Sequence, residues 1–234
     1  MTAIKDSVVL VTGGSRGLGR ALVEELYARG AAKVYATARD PRAVTHPDAV
    51  PLALEVTDPA SVAAVAERTP DVTVLINNAG ISVGANSLLD APLDAVRREF
   101  ETNFYGPLLV TRALVPTIER NGGGHLLNVH SVLSWLGIAG SYSATKAALW
   151  SQSNSLRLEL RPRGIAVTGL HVGYIDTDMT SGVDAPKSDA RDVAALALDG
   201  IETGAHEVLA DDVSRSVKAG LSGDLAALYP QLAL

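Results

Sequence analysis

Val8-Val9-Leu10-Val11-Thr12-Gly13-Gly14-Ser15-Arg16-Gly17-Leu18-Gly19 is the stretch from which the fold of this chain can be read. Four apolar, β-favouring residues run straight into a glycine cluster, and a helical pattern over 18–29 follows. A short uninterrupted apolar run is the mark of a strand buried on both faces. Glycines permit a tight turn and let the backbone come close to a pyrophosphate. A helix that starts at such a turn presents free N–H groups and its positive dipole end to an anion. Loops are rich in glycine anyway, so the cluster alone says little; the strand–turn–helix context is what the mechanism requires. The spacing is T-G-x-x-x-G-x-G rather than G-x-G-x-x-G.

Outward from this turn the same alternation continues. Apolar runs at 7–11, 33–37, 50–54, 72–76, 125–129, 165–171 and 207–209 read as strands. Between them, 18–29, 59–67, 93–104, 107–119, 143–160 and 190–201 read as helices. Parallel neighbours need crossover connections, so this order predicts an α/β fold, a doubly wound parallel sheet of about seven strands with helices on both faces. The 234 residues suffice for one large core, and nothing resembles a linker or repeat, so residues 1–234 are expected to form a single domain. Beyond Asp211, the spacing of Val213, Val217, Leu221 and Leu225 suggests a further helix and a frayed end, serving packing or oligomer contacts.

Composition narrows the function. The chain has no cysteine, which excludes disulfides, a thiol nucleophile and cysteine-based metal sites. A net charge of −6 argues against nucleic acid and anionic membrane as partners. The run Val8–Val11 is too short for a signal peptide, and no stretch approaches membrane-spanning length, so the cytoplasm is the expected compartment. His46, His125, His130, His171 and His206 have no ligand-like spacing, and no metal is expected. His130 reads as structural.

Further signals follow the glycine turn in order: Asn77-Asn78-Ala79-Gly80 after the fourth strand, Asn103 in a helix, Ser131 after the fifth strand, Tyr142-Ser143-Ala144-Thr145-Lys146, and Val172-Gly173-Tyr174-Ile175-Asp176-Thr177 after the sixth. Together they resemble the short-chain dehydrogenase/reductase family, whose members are single-domain Rossmann enzymes. The similarity covers residues 12–177 and fades after about Asp211. Tyr142 and Lys146 are four apart, on one helical face, and an ammonium beside a phenol lowers a pKa that is otherwise near ~10. The resemblance implies that Tyr142 exchanges a proton with the substrate oxygen, and that Ser131 bonds that oxygen. It implies that Lys146 holds the nicotinamide ribose and that Asn103 holds a water leading to Lys146. A lone Tyr-x-x-x-Lys is more often a surface pair, and a lone serine after a strand more often a cap; the ordered context decides otherwise.

The same resemblance assigns cofactor contacts to Gly13, Ser15, Arg16, Leu18 and Gly19 in the turn, to Asn78, Ala79 and Gly80, to Tyr142 and Lys146, and to Ile175 and Thr177. Glu55 and Val56 stand where the family places Asp-Val against the adenine. At the end of the second strand, Ala38 leaves space where an acidic residue would bond NAD ribose hydroxyls, and Arg39 offers a planar, permanent cation suited to a 2′-phosphate. With Arg16 as a second cation, NADP(H) is the expected cofactor. The expected activity is hydride transfer to or from a carbonyl or secondary alcohol carbon on a small molecule. A non-catalytic NADP(H)-binding redox sensor is the alternative, which would have no need of Asn103, Ser131, Tyr142 and Lys146 together. A Rossmann-like methyltransferase is disfavoured by the Tyr–Lys pair. Ser82, Val83, Leu133, Trp135, Tyr174 and Met179, mostly apolar, are the candidate pocket residues for a neutral, partly apolar substrate. The helices 107–119 and 143–160 resemble the family's dimer faces, which implies a homodimer or homotetramer.

Overall fold

Seven strands pair side by side, all parallel, in the computed structural model, which describes residues 2–84 and 86–232. They are β1 (Val8–Val11), β2 (Lys33–Ala38), β3 (Val50–Ala53), β4 (Val74–Asn77), β5 (Gly124–Val129), β6 (Ile165–His171) and β7 (Glu207–Leu209). Their spatial order is β3-β2-β1-β4-β5-β6-β7, so the chain reverses its direction of travel between β1 and β4. At such a switch point, loops leaving the carboxyl ends of the strands diverge and open a crevice where α/β proteins bind ligands. The glycine turn leaves β1 and the Asn77-Asn78-Ala79-Gly80 segment leaves β4, on either side of that crevice.

The helices are α1 (Gly17–Ala28), α2 (Pro59–Arg68), α3 (Leu93–Phe100), α4 (Gly106–Arg120), α5 (Gly140–Leu160), α6 (Ala190–Thr203), α7 (Asp212–Gly220) and the single turn α8 (Leu225–Leu228). Successive strand residues point to opposite faces. Val9 and Val11 accordingly join Leu22, Leu26, Leu198 and Ile201 under α1 and α6, whereas Leu10 joins Leu114, Ile118 and Leu156 under α4 and α5. The sheet is thus covered on both faces, as the uninterrupted apolar strands require.

Two boundaries differ from the sequence reading in ways that matter for the site. The pattern suggested separate helices over 93–104 and 107–119. Instead α3 runs into α4 through a π-helical turn, Glu101–Tyr105, which widens the helix around the buried Asn103. Pro107 does not break the run, because it stands in the first turn of α4, where little is lost by lacking an N–H. α5 starts at Gly140, three residues before the expected start, which places Tyr142 in its first turn. The tail forms α7 and α8, much as the spacing of its apolar residues suggested; its last two residues lie outside those described.

Buried polar groups tie β5 to β6. His125 is fully buried, its Nε2 lies 2.8 Å from Thr168 Oγ1, and burial pushes its pKa down to about 4. The unfolded chain takes up this proton near pH 6.5 but the native state does not, so stability present above that pH is lost as pH falls towards 4. The loss should reach about 3 kcal/mol from the 2.5-unit difference at ~1.36 kcal/mol per unit. Urea midpoints at pH 7 and pH 4.5 should differ less in His125→Gln than in the parent protein; an equal pH dependence would disprove this assignment.

Candidate active site

The glycine turn is a backbone structure that side chains would spoil. Gly13 and Gly17 have φ of +66° and +51°, in the left-handed region that side chains disfavour. A Cβ on Gly19 would stand 2.0 Å from the Gly13 carbonyl oxygen. Thr12 holds the turn to the segment after β4: its Oγ1 accepts from the backbone N–H of Asn78 (2.9 Å) and of Ala79 (3.0 Å). Asn78 returns the contact, donating from Nδ2 to the carbonyls of Thr12 (2.9 Å) and Gly13 (3.2 Å). Thr177 lies over the opposite side, close enough that a Cβ on Gly17 would be 3.1 Å from its Cγ2. Gly13, Leu18, Gly19, Asn78, Ala79 and Thr177 are thereby gathered around one cradle, with the N-terminus of α1 at its base. This is a fit for an anionic, pyrophosphate-like group.

Other expected cofactor contacts are arranged less simply. Arg39 is exposed at the end of β2 beside the small Ala38. Arg16 is also exposed, but its guanidinium pairs with Asp178 at 3.4 Å, next to Thr177. Such an exposed pair is weak, and the side chain can swing away from it. The Glu55 carboxylate accepts from the N–H and hydroxyl of Thr57 (3.3 and 3.0 Å), so it is engaged within its own loop. Val56 packs under Gly106, where a Cβ would come within 2.9 Å of its Cγ2.

Tyr142 and Lys146 share a face of α5, with the Lys146 Nζ 5.6 Å from the centre of the phenol ring. Lys146 is buried and donates to the Val129 carbonyl at the end of β5 (2.9 Å). Burial pushes its ammonium down to about 8. The phenol itself departs from expectation. Burial, reinforced by the charge of Glu99, pushes Tyr142 up to about 12, rather than Lys146 drawing it down. Desolvation penalises the phenolate more than the nearby cation favours it, so the tyrosine stands here as a proton-bearing acid.

Asn103 does not touch Lys146 directly. Its side chain clasps the backbone after β4, accepting from the Ile81 N–H and donating to the Ile81 carbonyl, both at 2.8 Å. A third bond goes to Thr145 Oγ1 at 3.1 Å. The side-chain amide expected to hold a water is therefore spent on positioning, with one Oδ1 lone pair left over. One helical turn earlier lies Glu99, which the sequence reading missed. It is fully buried, accepts from the Val83 N–H at 2.7 Å, and accepts from the Ser141 hydroxyl. Asn103 and Glu99 thus grip alternate residues, 81 and 83, of one extended segment. In the sequence, Glu99 stands in a charged stretch with Arg97, Arg98 and Glu101, and nothing separates it from a solvated helix face.

Ser131 caps a 3₁₀ turn, Val132–Ser134, after β5. Its Oγ accepts from the Leu133 N–H (3.2 Å) and donates a long bond to the Val172 carbonyl (3.4 Å). No direct bond joins it to Tyr142 among the described residues. Behind it runs a buried polar chain. His171 Nδ1 donates to the Ser131 carbonyl (3.3 Å), His171 Nε2 meets His130 Nδ1 (3.0 Å), and His130 Nε2 meets Ser153 Oγ (2.8 Å). Burial pushes both imidazoles below their ordinary range. His171, Lys218 and the Trp150 indole hold the Glu207 carboxyl well below the usual carboxylate range. His130 therefore supports the site from behind, in keeping with its structural reading.

A shallow cavity of about 220 Å³ opens against the first turns of α5, lined by Leu88, Leu133, Ser134, Trp135, Leu136 and Ala144. Its walls are largely apolar. The other expected pocket residues do not line it: Ser82, Tyr174 and Met179 are exposed and Val83 is half-buried. Asp211 reaches back to accept from the Gly173 N–H at 2.6 Å while capping α7. No helix among the described residues is long and apolar enough to cross a membrane, and no group of three or more His, Asp or Glu side chains there is arranged to hold a metal.

Comparison with known proteins gives a consistent picture. Residues 7–188 match the short chain dehydrogenase family. The 3-oxoacyl-[acyl-carrier-protein] reductase FabG of Salmonella typhimurium is 36% identical over 190 residues, covering 76% of this chain and 77% of that protein. Dehydrogenase/reductase SDR family member 7B of Xenopus tropicalis is 31% identical over 234 residues, 92% of this chain and 75% of the other. Among solved structures, a short chain dehydrogenase from Burkholderia cenocepacia in complex with NADP superposes with a TM-score of 0.93 at 37% identity, covering 100% of both chains.

Proposed function

Since the chain belongs to the short-chain dehydrogenase family of oxidoreductases, we propose that it is an NADP(H)-dependent carbonyl reductase acting on neutral, largely apolar ketones, with Tyr142 as the general acid. The observation that carries this reading is the placement of Tyr142 and the buried Lys146 on one face of α5, at the carboxyl end of β5. NADP(H), when bound, supplies or accepts the hydride. The glycine turn and the α1 N-terminus would hold its pyrophosphate, Arg39 its 2′-phosphate, and Lys146 its nicotinamide ribose. Tyr142 gives its phenolic proton to the substrate oxygen in reduction and takes it back in oxidation. Ser131 donates to the same oxygen as charge develops there. Leu133, Trp135 and Leu136 exclude water and accept the apolar part of the substrate. A cytoplasmic, homo-oligomeric, single-domain enzyme is the setting that goes with this reading.

The first test is turnover of NADPH and of NADH with a panel of ketones that includes a 3-oxoacyl thioester. NADPH should be used far more efficiently, because Ala38 and Arg39 favour a phosphate where an acid would repel it. Ala38→Asp should reverse the preference, lowering kcat/KM with NADPH by about tenfold or more, as expected for a charge repulsion of over ~1.4 kcal/mol. A parent enzyme that prefers NADH, or an Ala38→Asp variant that keeps its preference, would overturn the cofactor assignment. Binding of NADPH with no ketone reduced at all would favour the redox sensor.

A further inference from the structure

Glu99 is the one carboxylate buried below the surface among the described residues, and it is hydrogen-bonded to Ser141, the residue before the tyrosine that carries the proposed chemistry. Both its oxygens are met by neutral donors, the Val83 backbone N–H and the Ser141 hydroxyl. Two donors and no competing acceptor are what an ionised carboxylate, which can only accept, requires. The N-terminal turn of α5, where Ser141 sits, adds the positive end of a 21-residue helix dipole. Ser141 immediately precedes Tyr142, so Glu99 on α3 grips the turn of α5 that carries the phenol, while the oppositely charged Lys146 Nζ, one turn along α5, lies 5.6 Å from the centre of the phenol ring. Behind Lys146, burial holds His130 in its neutral form, so that ring adds no charge. In a poorly solvated site an adjacent anion disfavours the phenolate and an adjacent cation favours it.

We propose that Glu99 is a positioning residue that joins the 81–83 segment to the first turn of α5 and, by its negative charge, keeps Tyr142 in its proton-donating form, setting the site for carbonyl reduction. This rests on Tyr142 being the general acid of the site. The two functions of Glu99 share one side chain but are separable. The brace is the pair of hydrogen bonds; the bias is the charge. Glu99→Gln removes the charge and weakens the brace. Ser141→Ala breaks one of the same bonds, yet keeps the charge and takes away a dipole that partly offsets it. A purely mechanical role predicts that the two variants change together. The charge predicts changes of opposite sign.

The readout is the ionisation of Tyr142 itself, followed without turnover. Tyrosinate absorbance after a pH jump is recorded for each protein and for its Tyr142→Phe counterpart, and the difference isolates this one phenol. In Glu99→Gln the midpoint should fall by about one pH unit, a typical effect of removing one nearby charge. The high-pH limb of ketone reduction should move down with it. In Ser141→Ala the midpoint should rise. An unchanged or raised midpoint in Glu99→Gln, or a fall in both variants, would overturn the proposal. Should Glu99→Gln fail to fold, Ser141→Ala decides alone: a rise supports the charge, and a fall or no change rejects it. The general-acid reading fails differently, through ketone turnover that survives in Tyr142→Phe whatever the titration shows.

Discussion

Tyr142→Phe should bind NADPH as tightly as the parent protein and reduce ketones on the order of 10²-fold more slowly, or worse, the usual cost of losing a positioned acid. The substitution removes a single oxygen. The structure records no intramolecular partner for that hydroxyl among the described residues, so little else depends on it. A deleted hydroxyl that leaves no buried partner unpaired has a small effect on stability, and the melting temperature should move by no more than a few degrees. Lys146 is the useful contrast. Its Nζ serves the Val129 carbonyl and faces the phenol, and in the proposed complex it also holds the ribose. Lys146→Ala should therefore weaken NADPH binding as well as turnover. Equilibrium binding of NADPH, followed by fluorescence, and single-turnover ketone reduction separate the two variants. Substantial turnover by Tyr142→Phe would remove the tyrosine from the mechanism.

Most of the fold could be read because it depends on local signals. Buried parallel strands must be apolar, and their crossovers must be long enough to hold a helix, so alternation alone led to a seven-stranded sheet. The glycine turn was equally legible: positive φ at Gly13 and Gly17 and the contact at Gly19 are demands that only glycine meets. What escaped were features set by tertiary contacts. The π turn around Asn103 arises from packing against the segment after β4 and has no mark in the residues 101–105. Glu99 reads as one more surface charge until the fold buries it under α5. The phenol of Tyr142 shows the same limit in chemistry. Sequence places a lysine four residues away and implies a lowered pKa. Only three-dimensional burial, with a carboxylate from another helix, reveals that the balance runs the other way.

Ser131→Ala should reduce turnover by roughly 10²-fold, whereas Ser134→Ala should cost less than about tenfold, taking the loss of one transition-state hydrogen bond at ~10²–10³. The ranking needs an argument, because Ser131 lies only 11 positions before Tyr142, about two fewer than the family resemblance leads one to expect, and because Ser134, unlike Ser131, lines the cavity. Strand register decides the first point. β5 pairs with β6 without a bulge, His125 through Val129 opposite Ala166 through Leu170, and the pairing carries on as the Val132 N–H donates to the Val172 carbonyl at 2.9 Å. The expected place for the shortening is therefore after the 3₁₀ turn, between Leu136 and Ser141, where a loop loses residues at little entropic cost. Moving the strand by a residue would instead have sent its side chains to the wrong face. The hydrogen bonds decide the second point. Ser134 Oγ accepts from the Ser131 N–H and so acts as the reciprocal cap of the turn. Ser131 Oγ sends its proton only to the Val172 carbonyl at 3.4 Å, a bond long enough to be given up for a substrate oxygen. Val172 begins the segment that runs to Thr177 over the glycine turn, so that proton is held on the side of the crevice where the nicotinamide is proposed to lie. Steady-state kcat/KM for one ketone in the two variants, with melting temperatures as a control for folding, gives the ranking. The reverse order would transfer the oxygen-binding role to Ser134 and place the substrate deeper in the cavity beside Leu133 and Trp135.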